Sequence, residues 1–383
     1  MSLADPLPFF AICAISLAVA SAIALASRFY RERLAESGGR FEAIDGLRGF
    51  LALGVLGGHA VSMYSFHTSG VWSGDLAPFY MRTATAGVAI FFMITGFLFW
   101  LRLLRSGAGF DFHAFFVARI RRLAPMYFMS VLMALAVIFS VSGLALRVPP
   151  TQLVRELQAW LSFGFIHTGP VNGVQEAHSV NAVYWTLAYE WAFYLALPFL
   201  ALFARGAWSV VLFVVVAFFS IRAPVVLNFV YGALAAALVH NKTLAGRLDS
   251  LWLKPVPLAA LAVYFIADGY LHKMVEGAAL FVFFIFVVQG YSAFGLFLSR
   301  PAKILGAISY SLYLTHCIVL FVVVGAADRL LGLESLGPTQ YWLLVALAAV
   351  ATVVLSAVTF QFVEYPFMNP KGRPVRPIAA QAA

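Results

Sequence analysis

Eleven mostly apolar stretches decide what this chain can fold into. An α-helix of about 20 apolar residues crosses a bilayer, and only helices and closed barrels satisfy all their backbone hydrogen bonds there. Charged residues make up 11% of the chain, against about 25% in soluble domains. We therefore predict an all-α polytopic membrane protein with about 10 to 11 transmembrane helices in one bundle. The predicted spans are 7–27, 46–65, 84–104, 123–143, 184–204, 207–221, 223–240, 256–268, 275–298, 304–324 and 341–363.

The basic residues are distributed unevenly between the predicted loops. When the loop after the first span is placed in the cytoplasm, 19 of the 25 Lys and Arg residues lie on the cytoplasmic side and six lie outside. This asymmetry follows the positive-inside rule. We predict an integral plasma membrane protein (the inner membrane of a bacterium) with its N-terminus outside and its C-terminus in the cytoplasm. The same rule explains the net charge of +9, so nucleic acid is not a predicted partner.

The second predicted span contains Arg48 and His59, in the segment GLRGFLALGVLGGHA. A charged side chain costs roughly 2.5 to 3.5 kcal/mol at the bilayer centre, so ionisable residues there indicate function. Eleven residues of α-helix turn through about 1,100° and rise about 16 Å, which places both side chains on one face, half a bilayer apart. We expect a cation near one surface and a titratable group near the midplane.

Six segments of the chain have the character of motifs. They are IDGLRGFLALGVLGGHA (44–60), FFMITGFLFWLRL (91–103), ARIRRLAPMYF (118–128), YWTLAYEWAFYLALP (184–198), LGAISYSLYLTH (305–316) and FVEYPF (362–367). In this order they resemble the motifs of the acyltransferase 3 family of integral membrane O-acyltransferases. Thr95 and Thr186 stand where that family usually has serine, and its core usually has ten spans, so the span 7–27 is additional.

The resemblance implies an enzyme that moves an acyl group, acetyl in the first instance, from acyl-CoA to a hydroxyl of an extracytoplasmic or lipid-linked carbohydrate such as an exopolysaccharide or a lipopolysaccharide O-antigen. No permanently bound cofactor is predicted, because acetyl-CoA is a co-substrate. The predicted partners are membrane lipid, acyl-CoA and the acceptor. The oligomeric state stays open, a homodimer included. The predicted parts are an anchor helix with its link (1–40), the acyltransferase core (41–368) and a disordered cytoplasmic tail (369–383).

Three residues are predicted to be catalytic: His59, Glu190 and Arg48. A neutral imidazole at His59 is suited to take the proton of an attacking hydroxyl; the alternatives are a covalent acyl-histidine or a structural hydrogen bond. Arg48 is predicted to clamp a phosphate or thioester oxygen, whereas a snorkelling anchor is the structural alternative. For Glu190 three roles stay open: orienting His59, binding the acceptor, or a structural hydrogen bond to a Trp or Tyr.

The predicted inner loop 105–122 alternates aromatic residues with arginines, which is typical of a short amphipathic helix on the membrane surface. Its arginines determine topology or, given the resemblance, bind the phosphates of coenzyme A. The residues predicted to bind this co-substrate are Arg48, Arg119, Arg121 and Arg122.

Substrate contacts are predicted around the fourth motif and the late helix. The residues concerned are Glu190, Trp185, Tyr189 and His316. None of the eight histidines forms a pair with the helical i, i+4 spacing, so no metal is predicted.

A second class of function also fits the intramembrane charges. A transporter or flippase of a lipid-linked glycan would use them as a proton relay. Acyl transfer by the purified protein separates the two, because a flippase transfers no acyl group.

Overall fold

The computed structural model describes residues 2–35, 41–204, 211, 214–216, 218, 224–241, 253–267 and 272–369. Over these residues the chain forms helices and no β-strand. Six of the described helices are long and apolar enough to cross a membrane, and three more are apolar but shorter. The prediction of an all-α polytopic membrane protein is therefore confirmed.

The described helices follow most of the predicted spans. They are α1 (Leu7–Ala26), α2 (Arg28–Ala35), α3 (Glu42–Ser69), α4 (Pro78–Ser106), α5 (Phe112–Val141), α6 (Pro150–Trp160), α7 (Ala177–Val180), α8 (Trp185–Ala201), α9 (Pro224–His240), α10 (Val256–Ile266), α11 (His272–Val288), α12 (Arg300–Ala307), α13 (Ser309–Leu331), α14 (Pro338–Thr359) and α15 (Tyr365–Met368). A π-helical turn, Phe360–Glu364, joins the last two. The span predicted at 304–324 divides into α12 and α13. Most of the span predicted at 207–221 lies outside the described residues, as do the tail from residue 370 and the link 36–40.

The basic segment before residue 123 does not form a separate surface helix, so that prediction is wrong. It is the first part of α5, which runs unbroken for 30 residues. Asp111 caps this helix by accepting a hydrogen bond of 2.9 Å from the Ala114 N–H. Pro125 lies inside α5 without ending it, as membrane helices tolerate when their neighbours satisfy the freed backbone groups. Arg119 and Arg122 are consequently carried into the helix bundle.

Helices α3 and α4 form the centre of the bundle, since they are the most buried of the six long apolar helices. Glycines allow α3 to approach its neighbours closely. A Cβ at Gly306 of α12 would collide with the carbonyl oxygen of Asp45, and one at Gly49 would collide with Leu305. The backbones of α3 and α12 are therefore in direct contact, which sets the height of α3 in the bundle.

Substitution of Gly306 tests this contact. Gly306→Ala forces the α3 backbone away from α12 and should lower the free energy of unfolding by about 1–3 kcal/mol or more, as overpacking does. Gly325→Ala on α13 is the matched control, because a Cβ there would meet only a His67 ring carbon at 4.0 Å. Thermal unfolding in detergent should show a lower midpoint for the first variant alone. Equal midpoints would contradict the proposed role of the contact.

Buried tyrosines hold the segment between α5 and α8 in place. Tyr127 donates a hydrogen bond of 2.6 Å to the carbonyl oxygen of Trp160, and the hydroxyls of Ser130 and Tyr184 lie 2.8 Å apart. The Tyr127 bond therefore fixes the end of α6 against α5. Since Tyr184 immediately precedes α8, the bond with Ser130 fixes the start of α8 against α5.

Candidate active site

Two histidines from different helices meet inside the bundle. The Nδ1 of His59 lies 2.8 Å from the Nε2 of His316, and the Nδ1 of His316 lies 3.1 Å from the carbonyl oxygen of Leu312. A carbonyl oxygen only accepts, so the His316 proton sits on Nδ1, its Nε2 accepts, and His59 donates from Nδ1. These tautomers leave the Nε2 of His59 unprotonated, as a general base requires.

An aromatic group surrounds the approach to His59. The ring of Trp72 lies 6.1 Å from the His59 ring and 5.7 Å from that of His178, and Phe66 also lies 5.7 Å from His178. All four side chains are partly exposed, whereas His316 is fully buried. His59 is therefore approached from the end at which α3 terminates.

Cys317 extends the group to three atoms that could ligate a metal, all within 4.8 Å of one another. Two nitrogen ligands of a tetrahedral zinc ion lie about 3.3 Å apart, given Zn–N bonds of about 2.0–2.1 Å. The 2.8 Å between His59 and His316 is instead the length of a hydrogen bond. The distance favours a hydrogen-bonded pair, and the absence of a metal stays a prediction. The i, i+4 spacing compares histidines on one helix, so it could not detect the group of His59, His316 and Cys317, which comes from two helices.

A cavity with an empty volume of about 810 Å³, its opening included, lies between α3, α4, α5, α8 and α13. Arg48, Arg119, Arg122 and Glu190 line it, together with aromatic and aliphatic side chains of α4. Arg119 and Arg122 are only 7% and 5% exposed. We call this space the arginine cavity. Four of the predicted site residues from three different helices thus share one cavity.

Tyr194 interacts with both Glu190 and Arg119. The Tyr194 hydroxyl donates to Glu190, and the Arg119 charge interacts with the same hydroxyl. The Arg119 guanidinium lies over the Phe99 ring at 4.8 Å, and its Nε has no hydrogen-bond partner among the described residues. A buried guanidinium with an unused donor beside a cavity is suited to an anionic ligand.

Arg122 has a carboxylate partner within the protein. Its Nη1 lies 2.5 Å from the Glu364 Oε2, and Ser311 donates to the other oxygen of Glu364. The π-helical turn at the end of α14 carries Glu364, which is fully buried. Arg48 makes no ion pair within 4.0 Å among the described residues, although its charge interacts with those of Asp45, Glu190 and Glu364.

A second groove adjoins the arginine cavity. His113, Arg121 and Met368 line it, and it shares Arg119 and Arg122 with the cavity. Arg121 is exposed. Basic side chains therefore extend from the exposed Arg121 to the walls of the cavity, and we call this row the basic path.

The predicted site residues fall into three places in the structure. The arginine cavity and its groove contain Arg48, Glu190 and the three arginines of α5, and His59 pairs with His316. Trp185 and Tyr189 line neither place. They are 46% and 38% exposed, contact each other at 5.8 Å, and Tyr189 lines an apolar groove on the outside of α8.

Sequence reasoning missed Glu364 and Tyr194. Glu364 carried a usable signal, because a carboxylate in the apolar FVEYPF segment indicates a functional site by itself. Tyr194 also carried a signal, because it lies in the fourth motif and because a hydrogen bond between Glu190 and a Trp or Tyr was one of the open alternatives.

Comparison with known proteins places the chain in a family. The model described as "Acyltransferase domain" matches residues 41–361, so the protein belongs to the acyltransferase 3 family of membrane acyltransferases. Nodulation protein 10 of Rhizobium leguminosarum bv. viciae is 27% identical over 367 residues, which cover 87% of this chain and 95% of that relative. No solved structure matches the chain.

The buried ion pair generates a stability prediction. Glu364→Ala leaves the Arg122 charge buried without its partner and should cost about 3–5 kcal/mol of unfolding free energy. Replacing both residues, as in the double variant Arg122→Met with Glu364→Met, should recover most of this loss because no unpaired charge remains. Thermal unfolding of the two variants measures the difference. A double variant no more stable than Glu364→Ala would contradict a direct charge pairing.

Proposed function

We propose that this protein is an O-acyltransferase that moves an acyl group, acetyl in the first instance, from acyl-CoA to a hydroxyl of a carbohydrate. The observation that carries the proposal is the arrangement along α3, where Arg48 lines a basic cavity and His59 presents an unprotonated Nε2. Membership of an acyltransferase family supports it. The acetyl donor, the carbohydrate acceptor and the base are our proposals.

In this proposal acyl-CoA binds along the basic path. The exposed groove with Arg121 and His113 receives the nucleotide phosphates, and Arg119 provides its unused donor to a phosphate at the entrance of the cavity. The uncharged pantetheine arm then lies between the aromatic and aliphatic walls. Guanidinium groups suit phosphate because they bind it through two parallel hydrogen bonds.

His59 acts as the general base. Its Nε2 takes the proton from the acceptor hydroxyl while that oxygen attacks the carbonyl carbon of the thioester. The tetrahedral intermediate breaks its carbon–sulfur bond, the ester leaves, and the proton passes from His59 to the coenzyme A thiolate. His316 is a positioning residue here, because its Nε2 holds the His59 tautomer and stabilises the transient imidazolium.

The two substrates approach from opposite ends of α3. In the predicted orientation the basic groove opens to the cytoplasm, where acyl-CoA is made, and the aromatic surroundings of His59 face outward. This suits an extracytoplasmic or lipid-linked glycan as the acceptor. We place the protein in the plasma membrane, with its N-terminus outside.

Comparison of envelope glycans tests the proposed function. Cells that produce the protein and cells that produce His59→Ala would be compared by mass analysis of their glycans, with release of coenzyme A measured in membranes. We expect acylated glycans and coenzyme A release only with the unmodified protein. Identical glycan masses with no coenzyme A release would overturn the proposal.

The histidine pair predicts a graded loss of activity. His59→Ala and His59→Gln should lower kcat by about 10² to 10⁴, the usual cost of losing a general base, while acyl-CoA binding is retained. His316→Ala should also lower kcat, and His316→Gln should retain more activity because its amide oxygen can accept from His59. The His59→Ala, His316→Ala double variant should be little worse than His59→Ala. If the activity losses of the two single variants multiply in the double variant, the two histidines act independently and the proposed pairing is contradicted.

Arginine substitutions test the donor path. Arg119→Gln and Arg121→Gln should each raise the KM for acyl-CoA about tenfold or more, since a charge-assisted hydrogen bond contributes about 1.5–3 kcal/mol. The KM for the acceptor should change little. Arg155→Gln on the exposed α6 is the matched control and should leave both constants unchanged. An unchanged donor KM in correctly folded Arg119→Gln would remove this arginine from the binding site.

A further inference from the structure

The arginine cavity ends one helical turn short of the histidine pair. Tyr310, Tyr313 and His316 follow one another along α13, three residues apart. Tyr310 and Tyr313 line the cavity, and neither His59 nor His316 does. Three residues of α-helix rise about 4.5 Å, so His316 lies about one helical turn beyond the tyrosines that line the cavity. A thioester that enters past the arginines must cross this end to reach His59.

Thr186 and Tyr313, from α8 and α13, both line the cavity and contact each other. The two hydroxyl oxygens lie 3.0 Å apart. Thr186 also donates a hydrogen bond of 2.8 Å to the carbonyl oxygen of Val183, so its proton is already used and Tyr313 is the donor between the two. The Tyr313 ring packs 5.9 Å from Phe91 and 6.1 Å from His316. Thr186 is only 5% exposed.

We propose that Thr186 and Tyr313 form an acyl-size filter between the donor cavity and the histidine pair. The inference rests on the proposed function, and it concerns which acyl groups that site accepts. His316 lies about one helical turn beyond Tyr313, and the two ring centroids are 6.1 Å apart. In this proposal a short acyl group such as acetyl passes between Thr186 and Tyr313, and a six-carbon acyl chain does not.

The methyl group of Thr186 narrows the filter. The related motif usually has serine here, which carries the same hydroxyl without the methyl. Thr186→Ser therefore keeps both hydrogen bonds and removes only one carbon. Tyr313→Phe does the opposite, because it keeps the ring and removes the bond that holds it across the cavity end. The two variants test the width and the closure of the filter separately.

A suitable experiment uses the full-length protein in lipid nanodiscs with acetyl-, butanoyl- and hexanoyl-CoA as donors. The measured quantity is the ratio of kcat/KM for hexanoyl-CoA to that for acetyl-CoA. We expect the unmodified protein to prefer acetyl-CoA and both variants to raise the ratio roughly tenfold or more, since one methylene in a pocket changes discrimination by about 10- to 200-fold. Inhibition by free coenzyme A should not change, because the arginines are untouched.

Thr352→Ser is the matched control. Thr352 is fully buried in α14 and donates a hydrogen bond of 2.7 Å to the Ala348 carbonyl oxygen, so the change removes one buried methyl away from the cavity. The ratio of kcat/KM for hexanoyl-CoA to that for acetyl-CoA should be the same in this variant as in the unmodified protein. Equal use of all donors by the unmodified protein, or an unchanged ratio in both variants, would overturn the filter while acyl transfer stands. No turnover of any donor by the unmodified protein would overturn the proposed function and the filter together.

Discussion

The backbone contact between α3 and α12 is the constraint on which the candidate site depends. Gly306 and Gly49 have no side chains, so the two helices lie closer together than other residues permit. After Ile308 the chain continues into α13, which carries His316. The contact therefore sets the height of His59 relative to His316. A slide of one helical turn would move His59 by about 5.4 Å, which exceeds the 2.8 Å of their hydrogen bond.

The helices and the polar face of α3 could be predicted from the sequence, because apolar length and helical spacing are local properties. The spacing from Arg48 to His59 placed both on one face without knowledge of any neighbour. The partner of His59 could not be predicted in this way, since His316 lies 257 residues further along the chain and only the packing of α13 brings it close. The sequence left Glu190 as one candidate to orient His59, and its hydrogen bond in the structure is to Tyr194.

The electrostatics of the arginine cavity follow from the same packing. Arg48, Arg119 and Arg122 bring three positive charges to its walls, and Glu190 and Glu364 bring two negative ones. Asp45 adds a third negative charge, since its carboxylate interacts with Arg48. The charges around the cavity are therefore equal in number, and an anion gains from the unused donor of Arg119 rather than from a surplus of positive charge. A donor with phosphate groups can use this donor, in the proposed reaction, together with the exposed Arg121 nearby.

The hydrogen bond from His316 to the Leu312 carbonyl also limits where a proton can travel. A backbone carbonyl accepts a hydrogen bond but does not carry a proton onward. The chain from His59 through His316 therefore ends at the Leu312 carbonyl oxygen and at the buried Cys317 thiol, whose sulfur lies 3.4 Å from the His316 Nε2. In this proposal a proton taken up at His59 leaves through the same nitrogen. In the proposed reaction it returns to the departing thiolate within each turnover. Acyl transfer then moves no net charge across the bilayer, so its rate should be independent of the membrane potential, in contrast to a proton-coupled transporter.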